Sequence, residues 1–425
     1  MPHATRPLTQ VYVVGVGSTP FRRWPDRTLS DLAREAITQA TADAALEPGA
    51  PVDHVAFGNC AMDAWGQSNI RGQVCLDPLM ATGLLPPGVP IVNVEAGCAT
   101  GSAAFHAACT AVASGQSDLS LAIGVEKTFV PGDPGRILSI FDGGIDRVHP
   151  EVWQRFLTDA AVAAGERFEP HPHRIVFLDV HALQARHHMR VHGTTLAHLG
   201  AVAAKNHAHG ALNPKAQIRV LMSADEVLAD RPVVAPLTRS MCAPISDGAA
   251  AVLVASARWL AGQPTEVRDR AIAVRATALA GGTWRGLDEP GVTHRAAERA
   301  FARAGLRPAD VDVAEVHDAT AWCEIAALEA LGFCEPGQGG PLGASGATAR
   351  DGARPINTSG GLESKGHPLG ATGLGMIDEL VTQLRGEAGE RQIARPPTIA
   401  LQHNAGGLVG FDEALCAVTL LERVR

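Results

Sequence analysis

One arrangement of secondary-structure signals occurs twice along this sequence of 425 residues. Near the N-terminus, a helix-like stretch over 29–46 runs through a Pro/Gly turn into an apolar strand over 52–60. Later, a helix-like stretch over 293–306 leads through Arg-Pro into an apolar strand over 311–319. Because the duplication has no short repeat period, it predicts two similar α/β halves that face each other, not a solenoid.

The two halves continue in the same way. Each has a small-residue loop that opens a helix, GCATGSAAFHAACTAVASG around Cys98 in the first and GHPLGATGLGMIDELVTQL around His367 in the second. Each then closes with an apolar strand, over 249–256 and 413–421. We therefore expect the catalytic centre to lie between the halves.

A region rich in His and Pro interrupts the first half before its last strand. We interpret residues 129–239 as an inserted loop lobe that covers the site. The predicted N-terminal half then comprises 1–128 plus 240–260, and the C-terminal half comprises 268–425.

Charge and composition exclude several classes of protein. The net charge is −8, the Lys and Arg residues are scattered and only 4% of residues are aromatic, so no nucleic-acid surface is expected. The sequence has no run of about 18 apolar residues and no export signal, so we expect no membrane span and a cytoplasmic location. The eight cysteines form no CxxC pair, which argues against a zinc ribbon or a disulfide framework.

Cys98 is the first candidate for chemistry. A strand ending at Glu95, followed by Gly97 and small residues, predicts a thiol on a sharp turn at a helix N-terminus. There the helix dipole is expected to lower the thiol pKa from its usual ~8.5 and favour a nucleophilic thiolate. The alternative is a buried thiol that acts as a small hydrophobic side chain.

Three histidines complete the candidate set. His367 lies in the glycine-rich stretch SGGLESKGHPLGATG, where it can serve as a base or an oxyanion donor, or simply bond a neighbouring carbonyl. His317 and His403 each follow an apolar strand and precede Asp318 and Asn404. A cysteine with nearby histidines can deprotonate a thiol, hold an acyl thioester and move protons to a carbanion.

Metal and dinucleotide sites are not favoured. His188 and His192 could share a helix face in the His-rich lobe, but no cysteine or carboxylate cluster completes a ligand set. Gly15 and Gly17 lack the third glycine and the acidic residue of a dinucleotide loop. We therefore predict no metal site and no tightly bound cofactor.

Over almost its whole length the chain resembles the thiolase superfamily, and within it the sterol-carrier-protein-thiolase-like branch with its archaeal and bacterial acetyl-CoA acetyltransferase relatives. The resemblance rests on the Cys98 turn, the lobe stretch over 187–214, SDGAAAVLVAS, EVHDA, GHPLGATG and LQHNAGG. GHPLGATG is highly specific to thiolases, and the His-Asp and His-Asn pairs select the branch.

The resemblance implies a five-layered αβαβα fold, commonly dimeric, that acts on acyl-CoA thioesters with coenzyme A as a substrate. Cys98 would take the acyl group and His367 would activate its thiol. His317 would hold a water or donate to an oxyanion. The backbone N–H groups of Cys98 and Gly406 would form a second oxyanion hole. The reaction would be thiolysis of a 3-ketoacyl-CoA or, in reverse, Claisen condensation.

The sequence departs from this branch at one position. Relatives often have a cysteine directly after His-Asp for proton transfer at the α-carbon, whereas this chain has Ala319. Cys323 lies four residues further on, one helical turn away, and is not an obvious replacement. We predict His403 as the α-carbon acid/base, with His317 as the second choice.

Partners and alternative functions follow from the same resemblance. Chains of this pattern often associate with a small companion protein that has a zinc ribbon and an OB fold, so we expect a hetero-oligomer as well as a homodimer. Acyl transfer to a non-CoA acceptor and retro-aldol cleavage are alternatives on this fold, although retro-aldol relatives tend to lose the cysteine. A non-catalytic acyl-CoA-binding subunit would be expected to lack Cys98 or His367, and both are present.

Overall fold

The computed structural model describes residues 9–424. Residues 1–8 of the predicted N-terminal half and residue 425 of the predicted C-terminal half lie outside this range. The N-terminal segment in which we recognised no export signal therefore lies partly outside the described residues. The strands are β1 (Val11–Ser18), β2 (His54–Gly58), β3 (Ile91–Val94), β4 (Leu119–Lys127), β5 (Pro232–Val234), β6 (Leu237–Thr238), β7 (Asp247–Ser256), β8 (Ile272–Gly281), β9 (Val313–Glu315), β10 (Ile399–Gly406) and β11 (Leu415–Arg423). The helices are α1 (Leu29–Asp43), α2 (Arg71–Ala81), α3 (Thr100–Ala113), α4 (Pro134–Asp142), α5 (Pro150–Ala163), α6 (Val176–His192), α7 (Leu196–Ala211), α8 (Ala224–Ala229), α9 (Ala257–Ala261), α10 (Thr265–Arg270), α11 (Val292–Ala304), α12 (Ala321–Ala330), α13 (Gly339–Ala344), α14 (Gly361–Lys365) and α15 (Leu369–Arg385).

Nine strands form the main sheet, in the order β3-β2-β4-β7-β1-β8-β11-β10-β9. In the N-terminal half β2 runs parallel to β4, and β7 then runs antiparallel to both β4 and β1. In the C-terminal half β9 runs parallel to β10, and β11 then runs antiparallel to both β10 and β8. The predicted duplication is therefore confirmed, and the halves join where Val11–Val13 pair with Ile272–Val274.

The helices form three layers around the two half-sheets. α1 and α2 pack on the outer face of the N-terminal half, and α11 and α12 pack on the outer face of the C-terminal half. α3 and α15 lie between the half-sheets. Strands β4 and β7 are buried at every residue, as strands covered by helices on both faces must be. The predicted αβαβα layering is confirmed.

Local sequence explains the first outer helix. Thr28 caps α1 and forms a capping box with Asp31. Apolar residues at helical spacing, among them Leu32, Ala36 and Ala40, bury one face of α1 against the sheet. The helix ends at Asp43, three residues before the end predicted from periodicity.

Glycine permits the close contact between the halves. A Cβ atom on Gly124 of β4 would lie 1.9 Å from the carbonyl oxygen of Gly370 in α15. A side chain at position 124 would push the central helix off the sheet. This contact helps to hold the start of α15, which follows His367, against the N-terminal half.

Between β4 and β7 the chain forms helices α4–α8 and the β5–β6 hairpin. Helices α6, α7 and α8 share an apolar cluster with α12 of the C-terminal half. Helices α5 and α6 share another cluster with Leu408 and Phe411, which follow β10. α6 therefore lies beside the ends of two elements that carry candidate site residues. Within 9–424, no helix is both long and apolar enough to cross a membrane.

Candidate active site

Cys98 lies on a tight turn between β3 and α3. A single 3₁₀ turn spans Gly97–Ala99, and α3 begins at Thr100. Gly97 has a φ of 54°, a left-handed conformation that favours glycine. The hydroxyl of Thr100 accepts a hydrogen bond from the backbone N–H of Ala96 at 2.8 Å, which fixes the turn.

A second glycine lets the end of β10 meet this turn. A Cβ atom on Gly406 would lie 2.3 Å from the backbone nitrogen of Cys98, and one on Gly97 would lie 2.7 Å from the nitrogen of Gly407. Side chains at these positions would separate the two segments. The backbones of Cys98 and Gly406, predicted as oxyanion donors, are thus in direct contact.

Cys98, His317 and His367 converge at one point between the halves. The Cys98 Sγ and one nitrogen of each histidine all lie within 4.8 Å of one another. The rings of His317 and His367 meet edge to face, with centroids 5.1 Å apart. Both histidines are buried, and Cys98 is partly exposed.

The hydrogen bonds of His367 leave one ring nitrogen free to act as a base. The Thr372 hydroxyl donates to the carbonyl of Pro368 at 3.0 Å, so it must accept the bond of 2.7 Å that joins it to His367 Nδ1. Nδ1 therefore carries the proton and Nε2 carries a lone pair. This Nε2 is buried and has no hydrogen-bond partner among the described residues.

The hydrogen bonds of His317 assign it the opposite role. Gln402 Nε2 donates to Ser102 Oγ at 2.5 Å, and that hydroxyl donates to Asn404 Oδ1 at 2.9 Å. The Asn404 amide then donates to His317 Nδ1 at 3.0 Å. Neutral His317 must carry its proton on Nε2, which makes it a hydrogen-bond donor.

Both ring nitrogens of His403 are occupied. Nδ1 accepts a hydrogen bond from the backbone N–H of His317 at 3.3 Å, so Nε2 carries the proton and donates to the Thr293 hydroxyl at 3.0 Å. His403 thus lies beside the cluster and orients His317.

Burial controls the protonation states. It lowers the pKa of His367 to about 3 and that of His403 to about 4, so both rings are neutral near pH 7. The pKa of His317 is also far below its usual value, first because of burial and then because of His367, His403 and His181.

The expected low pKa of Cys98 is wrong. Burial raises the pKa of this thiol to about 12, and the Glu126 carboxylate adds to the increase. The backbone hydrogen bond at the turn lowers the pKa, but by less than burial raises it. The resting thiol is therefore protonated and needs a base.

A cavity of about 680 Å³ borders the site on the side of His317, and neither Cys98 nor His367 is among the residues that line it. His317 and His403 line it, together with apolar side chains that include Leu287, Trp322 and Phe411. A cavity of this size and lining fits a bulky organic group. His317 belongs both to the cavity wall and to the cluster around Cys98.

Sequence reasoning missed one side chain of the cavity wall and the buried histidine that contacts it. Cys323, judged an unpromising replacement, lies on α12 and lines the cavity wall. Its Sγ lies 3.5 Å from Nδ1 of His181, a buried residue of α6. Nothing distinguished His181 from the other histidines of the lobe in the sequence, because the contact joins residues that are 142 positions apart.

The His-rich lobe does not assemble the metal ligands that were considered. The rings of His188 and His192 stack 4.5 Å apart, and the nitrogens of His188 are bonded to Thr194 and Glu329. Over residues 9–424, Cys98, His317 and His367 are the only three metal-ligand residues whose ligand atoms lie close enough together to share a metal ion. Neutral His317 has no free lone pair for a metal ion, because its Nδ1 accepts a hydrogen bond from Asn404 and its Nε2 carries the proton.

The duplicated five-layer fold, with a partly exposed thiol beside an imidazole between its halves, is an arrangement suited to enzymes that transfer acyl groups. Residues 11–130 match the family described as "Thiolase, N-terminal domain", and residues 289–417 match "Thiolase C-terminal domain-like".

Individual relatives cover nearly the whole chain. It is 36% identical over 408 residues to an acetyl-CoA acetyltransferase of Methanothermobacter thermautotrophicus, covering 95% of this chain and 98% of that protein. It is 35% identical over 411 residues to sterol carrier protein 2 of Oryctolagus cuniculus, covering 94% and 70%. A solved aldolase structure, Ltp2-ChsH2(DUF35), aligns over 98% of both chains with a TM-score of 0.75 at 22% identity. The chain belongs to the thiolase family, as its motifs predicted, and is an acyltransferase.

Proposed function

We propose that this protein cleaves or forms the carbon–carbon bond of a 3-ketoacyl-CoA through an acyl-enzyme on Cys98. The observation that carries the proposal is the free, buried Nε2 of His367, on a ring that lies in the same cluster as the Cys98 thiol. A thiol beside a neutral imidazole that has a free lone pair is the arrangement that covalent acyl transfer needs.

The base is required because the thiol is protonated at rest. His367 Nε2 takes the Cys98 proton as Sγ attacks the carbonyl carbon, and the Thr372 hydroxyl accepts the Nδ1–H hydrogen bond throughout. The low pKa of His367 makes it a weak base, so the transfer is favourable only together with bond formation.

Two sets of hydrogen-bond donors stabilise the substrate oxygens that become negatively charged during the reaction. His317 Nε2–H is available for the thioester oxygen of the departing enolate, since Asn404 holds its other nitrogen. The backbone N–H groups of Cys98 and Gly406 serve the tetrahedral intermediate on the cysteine. His403 supports His317 in this mechanism, so we no longer assign it the α-carbon proton.

The substrate and partner assignments belong to the proposal too. The cavity is suited to the acyl part of an acyl-CoA, and coenzyme A enters as a substrate, not as a resident cofactor. The aldolase neighbour carries a DUF35 partner in its own description, which supports testing for a companion protein here. The homodimer, the zinc-ribbon and OB-fold companion and a cytoplasmic location stay predictions.

Retro-aldol cleavage is the second candidate, because the aligned solved structure is described as an aldolase. A retro-aldolase needs no cysteine nucleophile. The retained pair of Cys98 and His367 therefore favours acyl transfer.

The test is intact-protein mass spectrometry after incubation with a panel of acyl-CoAs. The wild type should gain one acyl mass, which Cys98→Ala abolishes and His367→Asn slows. Cys109→Ala, a buried thiol on α3, is the matched control and should keep the adduct. A wild type that no acyl-CoA labels, with or without a companion protein, would contradict the proposal.

A further inference from the structure

One thiol of the cavity wall, Cys323, contacts a buried imidazole behind it, and the mechanism above uses neither group. Cys323 Sγ contacts His181 Nδ1 at 3.5 Å and the Thr320 hydroxyl at 3.2 Å. His181 is 6% exposed and comes from the lobe, whereas Cys323 comes from the C-terminal half.

The pair lies next to the reacting centre. Cys323 lines the same cavity as His317 and His403. His181 is near enough to His317 to depress its pKa, and His317 in turn is within 4.8 Å of Cys98. A substrate carbonyl bound at His317 would therefore lie in a cavity that Cys323 also lines.

The other candidates for proton transfer at the α-carbon are less suitable. Both nitrogens of His403 are bonded, and Ala319 has no titratable group. His367 Nε2 is committed to Cys98. His317 Nδ1 is bonded to Asn404, and its Nε2–H is committed to the substrate oxygen in the proposed mechanism. Glu413 also lines the cavity and is the remaining rival.

We propose that Cys323, oriented by His181, is the group that exchanges a proton with the substrate α-carbon. The inference rests on the proposed function and assigns a residue to one of its steps. His181 is a positioning residue, because its Nδ1 accepts a hydrogen bond from the Cys323 S–H group and so orients the thiol.

The step balances in the direction of thiolysis. When the bond between the keto carbon and the α-carbon breaks, its electron pair stays on the α-carbon as an enolate. The Cys323 S–H proton forms the new C–H bond, and the Thr320 hydroxyl can donate to the resulting thiolate. The CoA–SH proton then returns to Cys323 as the CoA sulfur takes the acyl group from Cys98, which recovers its own proton from His367. Condensation reverses each step.

Protonation at rest agrees with this direction. Burial raises the pKa of Cys323 to about 12 and lowers that of His181 to about 4. The thiol thus holds its proton near pH 7, ready for a carbanion, and the imidazole is neutral.

The experiment separates acylation from proton exchange. Acetyl-CoA is incubated with enzyme in D₂O, and mass spectrometry follows both deuterium entry at the α-carbon and acylation of Cys98. Cys323→Ala should reduce exchange by about 100-fold or more, the usual effect of a general acid–base group, with acylation retained. Cys242→Ala, a neighbouring thiol in the same apolar cluster but outside the cavity wall, should leave both unchanged.

Two further variants keep the test decisive. Cys323→Ser preserves side-chain volume if the alanine variant is unstable, and it should also lose exchange because a hydroxyl is a much weaker acid. His181→Asn should change the pH dependence of exchange, which a purely structural role would not.

Wild-type exchange in both Cys323 variants would overturn the inference, and loss of exchange in Glu413→Gln would then assign the step to that carboxylate. A wild type that is never acylated at Cys98 contradicts the proposed function instead, so the two failures are distinguishable.

Discussion

Replacing Thr372 by valine should slow acylation of Cys98 without disturbing the fold. The Thr372 hydroxyl is fully buried and is the acceptor that holds the proton on His367 Nδ1, at 2.7 Å. Valine has nearly the same shape but no acceptor. The ring is then left with a buried, unpaired N–H unless the proton moves to Nε2, where the ring can no longer accept the Cys98 proton.

The expected magnitude follows from that lost bond. Leaving a buried donor unpaired costs about 1–3 kcal/mol. If this cost falls on the active tautomer, the acylation rate decreases by about 5- to 150-fold. A rapid-quench time course of the acyl adduct, read by intact mass, measures the rate directly.

Two controls test the reasoning. Thr372→Ser keeps the hydroxyl and should acylate close to the wild-type rate. Thr382→Val removes a hydroxyl from the same helix that bonds only the carbonyl of Asp378, so it should not change acylation. A Thr372→Val enzyme that acylates at the wild-type rate, or a serine variant as slow as the valine variant, would refute the tautomer assignment.

Three other predictions concern the backbone contact, pH and a buried ion pair. Gly406→Ala should nearly abolish acylation, because its Cβ would lie 2.3 Å from the Cys98 nitrogen; an unchanged rate in the mass assay would contradict that contact. Burial, aided by a nearby lysine, holds the pKa of His209 at about 3, below the usual ~6.5 of the unfolded chain, so its neutral state stabilises the fold above pH 6.5 and that stability is lost as the pH falls. Lowering the pH from 7 to 5 should therefore reduce the free energy of unfolding by about 2 kcal/mol through His209. In urea unfolding, His209→Asn should lose less stability over this pH range than the wild type, by that amount. Asp412→Ala should lower the free energy of unfolding in urea by about 3–5 kcal/mol, because it leaves two partly buried arginines without their carboxylate. Asp351→Ala, at a solvent-exposed ion pair, should have a much smaller effect.

The parts of the molecule that could be predicted are those encoded by local pattern. Helical periodicity and the turn after it identified α1 and its partner α11, and alternation of helix and strand signals identified the duplicated α/β halves. Glycines around Cys98 and His367 indicated tight turns, because a left-handed backbone conformation or a close contact between backbones favours glycine.

The parts that could not be predicted depend on contacts between distant segments. Cys323 was set aside because Ala319 occupies the expected position, yet Cys323 lies in the first turn of α12 and its thiol lines the cavity. His181 reaches Cys323 across 142 positions, and no local pattern records such a contact.

The sequence by itself determined the duplicated fold, the thiolase family and which cysteine and histidines meet. Only the tertiary structure decided which ring nitrogens of these histidines are already bonded, and the roles that we propose rest on those bonds. The roles of His317, His367 and His403 depend on which ring nitrogen is already bonded, and the partners that decide this come from other elements. The pKa of Cys98 likewise follows from burial by the assembled halves, which outweighs the favourable turn on which the sequence places it.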